Sequence, residues 1–186
     1  MLDYLFKIKK FIPTIIVKTI YDVDFTTLYA NGKRFILFDL DNTLISYDVD
    51  FADEKLKSLI TELKNMGYTL MVVSNNHNKR VSDFCNDVDI ECITMAAKPL
   101  KKGFKKALKL LNIKNKKEVI TIGDQMMTDI LGSNRCGIDS ILVHPIKKGT
   151  EKWYTKNNRK MEKSVIKRIK KYDINIYKQI EENHEY

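Results

Sequence analysis

The chain has 186 residues, 44% of them hydrophobic and 31% charged, with a formal net charge of +9. That length supports one domain of ordinary size with a real core, and no apolar run approaches the roughly 18 residues a membrane span requires. Cys85, Cys92 and Cys136 are odd in number and lack C-x-x-C spacing, which argues against a disulfide framework and against a zinc site.

The first segment, residues 1–34, is basic. Leu5, Ile8, Ile12 and Ile15 recur along it with Lys7, Lys9 and Lys10 between them, and Pro13 stops any helix near Ile12. The lysines interrupt the apolar run and no small-residue cleavage site follows, so it does not read as a signal peptide. Cytoplasmic residence is the expectation. The segment is expected either to pack on the core or to lie at a membrane surface as a short amphipathic piece.

From Phe35 to Pro145 the text becomes regular. "FILFD" reads as a buried strand, a short apolar run without polar alternation. "DEKLKSLITELKNMG" places Leu56, Leu59, Ile60, Leu63 and Met66 on one helical face, with Asp53 as N-cap and Gly67 as the stop. "YTLMVVS" is a second strand, "KRVSDFCNDV" a helix and "IECIT" a short strand. "KKGFKKALKLLNI" is a helix with Phe104, Ala107, Leu108 and Leu111 on one face. "EVITIGD" is again a strand, "MTDILGSNRCG" a helix stopped by Gly137, and "SILVHP" the last strand. Strands alternating with helices predict an α/β fold, a doubly wound, Rossmann-like parallel sheet with helices on both faces. The core is placed at residues 35–146. Residues 147–186 form a basic, helical extension of the same domain, with eleven Lys or Arg against two Glu between Lys147 and Lys171.

In such sheets ligands sit beyond the C-terminal ends of the strands. Asp39 and Asp41 follow the first strand of the core, Ser74 and Asn75 the second, Lys98 the third after a short loop, and Asp124 and Asp129 the fourth. Clustered carboxylates repel one another unless a cation sits among them. Oxygen ligands with an incomplete shell suit Mg²⁺, which keeps waters and a substrate phosphate. A lysine and a serine at the same rim supply a charge and a hydroxyl donor for phosphate oxygens. An EF-hand loop is excluded, because Leu44 stands where that loop needs Gly.

These four elements resemble the motifs of the haloacid dehalogenase (HAD) superfamily: "DLDNTL", "SNN", "KP" and "GDQMMTD". "GDQMMTDILGSNRCG", "ILVHPI" and "TKNNRKME" are similar to the YqeG-type family of its subclass IIIA. The resemblance implies a phosphatase in which Asp39 attacks phosphorus to form an aspartyl-phosphate and Asp41 serves as general acid, then base. It implies phosphate binding by Ser74, Asn75 and Lys98, and Mg²⁺ held by Asp39, the Asp41 backbone carbonyl and Asp124. Thr43 would brace the loop, Asp129 would be an outer partner of the metal or a water-bridged ligand, and Gln125 would support the site. Arg135 belongs to the family pattern and is open to a substrate headgroup or a helix-end carboxylate.

Thirty-one positions separate Thr43 from Ser74, and 24 separate Ser74 from Lys98. The predicted elements consume both intervals, so the core is expected to be capless and the site open to solvent. An open site suits a phosphate displayed on something large. Relatives of the YqeG-type family act on phosphatidylglycerophosphate, which makes a membrane lipid headgroup the expected substrate. The basic ends would then make peripheral contact with the inner membrane face, with Trp153 and Tyr154 as interfacial anchors or as pins to the sheet. Two alternatives stand beside this reading. One is a phosphatase for a protein or nucleic-acid phosphate; the other is a module gripping nucleic acid through its basic tail, against which the complete site and the lack of an aromatic-rich basic motif both argue. A receiver-type signalling domain would place its phosphoacceptor after the third strand, where "TMAAKP" has no aspartate.

Overall fold

Each apolar run between Phe35 and Leu142 becomes a strand of one sheet, described in a computed structural model for residues 6–76, 79–147, 149 and 153–183. Leu5, His77, His184, Lys148, Glu151 and Lys152 lie outside the described residues. The strands are β1 (Ile15–Ile16), β2 (Phe35–Phe38), β3 (Thr69–Val73), β4 (Glu91–Ile93), β5 (Val119–Gly123) and β6 (Asp139–Leu142). They run in the order β1-β6-β5-β2-β3-β4, with every neighbouring pair parallel. Phe38, the last residue of β2, pairs with Val72 of β3 and with Ile122 of β5. The three central strands therefore end almost level, and their loops open on a common rim.

Alternation along β2 decides what covers each face. Ile36 and Phe38 point into a core with Leu56, Ile60 and Leu63 of α2 (Glu54–Asn65) and with Val81, Phe84 and Cys85 of α3 (Lys79–Asp87). Leu37 points the other way, against Phe104, Ala107 and Leu108 of α4 (Lys101–Leu110). Phe84 and Phe104 are both fully buried, each contributing about 1.5–3 kcal/mol by removal from water. Asp53 caps α2 by accepting from Leu56 N–H at 2.8 Å, and Gly67 ends it at φ +93°. The Gly67 position excludes any larger residue twice over, since a Cβ would also lie 2.7 Å from the Tyr29 hydroxyl.

The ends of the chain extend this core. Ile15 and Ile16 add β1 to the sheet edge, a strand too short to show a period in sequence, and α1 (Phe25–Ala30) was likewise not predicted. A 3₁₀ turn, Ile8–Phe11, stops before Pro13 and buries Phe11 completely. The predicted helix after β5 is in two parts, a π turn at Met126–Ile130 and then α5 (Leu131–Cys136), stopped by Gly137 at φ +73°. Beyond β6, α6 (Trp153–Tyr172) and α7 (Ile174–Asn183) join Phe11, Met126, Met127 and Ile130 in a third apolar cluster. Among the described residues no helix is long and apolar enough to cross a membrane.

Candidate active site

The loop after β2 turns tightly. Leu44 and Ile45 N–H groups return to Leu40 carbonyl at 3.0 and 3.2 Å, and Asn42 adopts φ +62°, which asparagine tolerates better than most residues. Asp39 and Asp41 are thereby held on either side of one buried residue, at 6% and 5% exposure. Asp124 and Asp129, both at 0%, arrive from the end of β5 and from the π turn. Gly123 allows the second approach, because a Cβ there would lie 2.5 Å from Asp129 Cβ.

Lys98 Nζ donates to Asp39 Oδ1 and to Asp129 Oδ1, each at 2.6 Å. Burial alone would depress its pKa, but Asp129 and Asp39 outweigh burial and hold it above the ordinary lysine value. The carboxylates move the opposite way. Burial raises Asp39 well above its usual range against the pull of Lys98, with Asp129, Asp124 and Asp41 adding repulsion. Burial also pushes Asp124 up to about 7, opposed by Arg159. Asp39, Asp124 and Asp129 each offer an oxygen within 4.8 Å of the others. Three buried carboxylates this close together are a fitting donor set for a hard divalent cation, which would offset their mutual repulsion.

Asp41, two residues from Asp39, has different company. Arg80 Nη1 and Asn76 Nδ2 each donate to it at 2.5 Å, one to each oxygen. Arg80 also donates to the carbonyls of Ser46 and Val49 and pairs with Asp50, so it fastens the loop after Asp41 to α3. The carboxylate cluster thus contains Asp129 and not the Asp41 side chain. Asp129 stands with Asp39 and Asp124 in that cluster, while the two Asp41 side-chain oxygens are met by Arg80 and Asn76.

The Thr43 hydroxyl lies 3.4 Å from Asp124 Oδ1, joining the loop after β2 to the end of β5. Ser74 is buried beside Asn76, whose N–H donates to the Ser74 hydroxyl at 3.1 Å. The side-chain amide of Asn75 is bonded to the backbone of Lys98. It accepts from Lys98 N–H at 2.7 Å and donates to Lys98 carbonyl at 3.0 Å, so both of its ends are spent on the lysine's backbone. Arg135 donates to Pro99 carbonyl at 2.9 Å and lies over the Phe6 ring, where it braces the lysine's loop.

The expectation of an open site is corrected. No cap interrupts the core, but the N-terminal half of α6 roofs the rim. Asp39, Asp41, Ser74, Asn75, Lys98 and Gln125 share their cavity with Tyr47, Asn76 and Thr128, and with Tyr154, Thr155 and Asn158 of α6. Its free volume is about 30 Å³, well below the roughly 300–1,000 Å³ of a small-molecule pocket. Tyr154 donates to Asn76 Oδ1 at 3.1 Å, Asn158 to Gln125 Oε1 at 3.2 Å, and the Tyr47 and Thr155 hydroxyls are 3.2 Å apart. Tyr154 is therefore pinned at the site, whereas Trp153 is 74% exposed.

Arg80, Tyr47, Asn76, Arg159 and Glu162 went unnoticed in the sequence. Only Glu162 carries a signal there: it lies three, four and seven positions before Val165, Ile166 and Ile169, an acid on an apolar helical face.

A strand-end rim with an aspartate pair, a buried lysine and a further carboxylate couple defines a phosphoryl-transfer type of hydrolase. A haloacid dehalogenase-like hydrolase model matches residues 49–143. The chain is 35% identical to Probable phosphatase YqeG of Bacillus subtilis over 88% of this chain and 94% of that one. It is 26% identical to phosphatidylglycerophosphate phosphatase 1, chloroplastic/mitochondrial, of Arabidopsis thaliana over 84% of this chain but 47% of the relative. In fold it resembles the cobalt-bound deoxy-D-mannose-octulosonate 8-phosphate phosphatase of Haemophilus influenzae, with a TM-score of 0.50 at 14% identity over 74% of this chain and 89% of that one. The chain belongs to the haloacid dehalogenase-like hydrolase family and is an enzyme of its phosphatase kind.

Proposed function

We propose that this enzyme hydrolyses a phosphomonoester with Mg²⁺ bound, through an aspartyl-phosphate on Asp39. The observation that carries the reading is Lys98, whose ammonium sits 2.6 Å from both Asp39 and Asp129. Such a cation screens the nucleophile from its neighbours and is placed to meet phosphoryl oxygens beside it. Asp39 attacks phosphorus as the ester oxygen leaves. Asp41 gives that oxygen a proton and then takes one from the water that releases phosphate. Arg80 and Asn76 hold Asp41 for both steps. Asp39, Asp124 and the Asp41 carbonyl would hold the metal, with Asp129 beside them; when bound, it neutralises phosphate charge.

The substrate reading is a lipid headgroup phosphate, phosphatidylglycerophosphate. Similarity to the Arabidopsis enzyme supports it. So does the outward face of α6, where Lys156, Lys160, Lys163, Lys167 and Lys170 are all exposed at alternating spacings of four and three. Each basic residue at an anionic surface contributes on the order of 1 kcal/mol, and peripheral contact at the inner membrane face follows. The roof must yield for any headgroup to enter.

The test is Mg²⁺-dependent phosphate release from phosphatidylglycerophosphate in mixed micelles, beside soluble phosphomonoesters and phosphopeptides. Asp39→Asn is the blank and is expected to lose roughly 10⁴-fold or more. Turnover of soluble or peptide esters but not lipid keeps the chemistry and discards the substrate. Silence on every ester, with salt-sensitive RNA binding, would favour the nucleic-acid module.

A further inference from the structure

Arg159 and Glu162 stand one helical turn apart on α6, within "TKNNRKME" and far in sequence from the strand ends, yet both reach the site. Arg159 Nη1 donates to the Asp124 backbone carbonyl at 2.7 Å and to Glu162 Oε2 at 3.1 Å, while Nη2 donates to Asp124 Oδ2. Glu162 is fully buried, and its other oxygen accepts from Met127 N–H at 3.2 Å in the turn that carries Asp129. One guanidinium thus grips Asp124 by both its main chain and its side chain, and one buried carboxylate ties that guanidinium to the neighbouring turn. The grip uses Oδ2, leaving Oδ1 beside the Thr43 hydroxyl.

We propose that Arg159 is a positioning residue for Asp124, holding that carboxylate in its metal-binding orientation, with Glu162 fixing the guanidinium. The proposal rests on the phosphatase reading only in taking Asp124 as a metal ligand. A planar fork is needed because three acceptors must be met from one fixed group; an ammonium cannot span them in the same geometry. A grip that spans Asp124 and Glu162 together is more than a surface ion pair between neighbours on one helix, since both carboxylates are fully buried. It makes α6 part of the metal site rather than an appendage.

Charge alone predicts the opposite effect, which gives the test its sign. A guanidinium this close to a cation's site opposes the cation, so deleting it should tighten metal binding if its charge were its whole contribution. If it positions Asp124, deletion weakens binding despite the relief of repulsion. The probe is Mn²⁺ binding to the full chain, followed by electron paramagnetic resonance without substrate. Arg159→Met is expected to weaken Mn²⁺ about 10- to 100-fold, and Arg159→Lys to leave most of that loss in place. In phosphate release the metal concentration for half-maximal rate rises while turnover at saturating metal is largely kept.

Arg159→Met leaves Glu162 buried and unpaired, which can unfold the chain. The double variant Arg159→Met, Glu162→Leu removes both charges and is expected to show the same loss of Mn²⁺ affinity. Unchanged or tighter binding in any folded variant lacking the guanidinium overturns the proposal, as does full rescue by lysine. A parent chain that binds no Mn²⁺ overturns it together with the metal part of the functional reading. A parent that binds Mn²⁺ but hydrolyses no phosphomonoester overturns the phosphatase reading alone and leaves the Arg159 result standing.

Discussion

At the rim of the site, Asp39, Ser74 and Asp124 each follow a strand directly, and the level ends of β2, β3 and β5 fix where they stand. At the roof, Tyr154, Thr155, Asn158 and Arg159 come from a single helix that no strand pairing constrains. The rim's charges are buried, with Lys98 set between Asp39 and Asp129; the roof meets the cavity through two hydroxyls and an amide, and its one guanidinium grips Asp124. The difference separates a scaffold from a cover. The backbone places the rim before any side chain is considered, whereas the roof exists only where α6 docks.

The comparison breaks most readily at Lys98. Lys98→Met leaves Asp39 and Asp129 buried without their cation, and removing one partner of a buried pair costs about 3–5 kcal/mol. Urea unfolding should show that loss, and phosphate release should fall by about 10²–10³-fold or more. A well-folded, active Lys98→Met protein would sink the idea that the rim is organised around this ammonium.

Metal addition is expected to act next most strongly, and on the rim alone. Mg²⁺ at 100 times its dissociation constant stabilises a folded state by about 2.7 kcal/mol. A thermal-unfolding titration of the parent should rise accordingly, and Asp124→Asn should flatten it. An equal rise in both proteins would place the ion elsewhere on the molecule.

How much of this was legible follows the same division. Asp39, Asp41, Lys98 and Asp124 could be found because a buried strand announces its own end and an α/β sheet puts those ends together. Asp129 was found too, though sequence spacing does not tell how far the π turn carries it inward. Side-chain direction, which spacing does not encode, turns the Asn75 amide to the Lys98 backbone. The roof was read as open space for a physical reason: "TKNNRKMEKS" has the composition of a solvated face, and six exposed lysines on α6 hide the arginine that turns to Asp124. β1 and α1 escaped because two and six residues are too few to establish a period.

Gly123→Ala sharpens the rim from a different side. Its new Cβ would meet Asp129 Cβ at 2.5 Å, and backbone-anchored atoms cannot step aside cheaply. Overpacking of this kind costs about 1–3 kcal/mol. Metal affinity should fall along with stability, because the displaced group belongs to the carboxylate cluster. Loss of stability with metal affinity intact, measured on the same protein, would show that Asp129 lies outside the working site.

The smallest expected effect tests the cover itself. Tyr47 and Thr155 share a hydrogen bond of 3.2 Å between the loop after β2 and the roof, and burial raises the Tyr47 phenol far above its ordinary value, so it stays neutral. Tyr47→Phe removes that bond and leaves the buried Thr155 hydroxyl to find another partner, a loss of about 1 kcal/mol. Global unfolding should shift by no more than that, because α6 keeps Val165, Ile166 and Ile169 in the core. A loosened cover should instead appear in kinetics, as a lower KM for bulky phosphomonoesters relative to small ones with turnover little changed. If Tyr47→Phe proves as damaging as Lys98→Met, the roof is no cover, and the rim and helix α6 form one unit that must open by unfolding rather than by lifting.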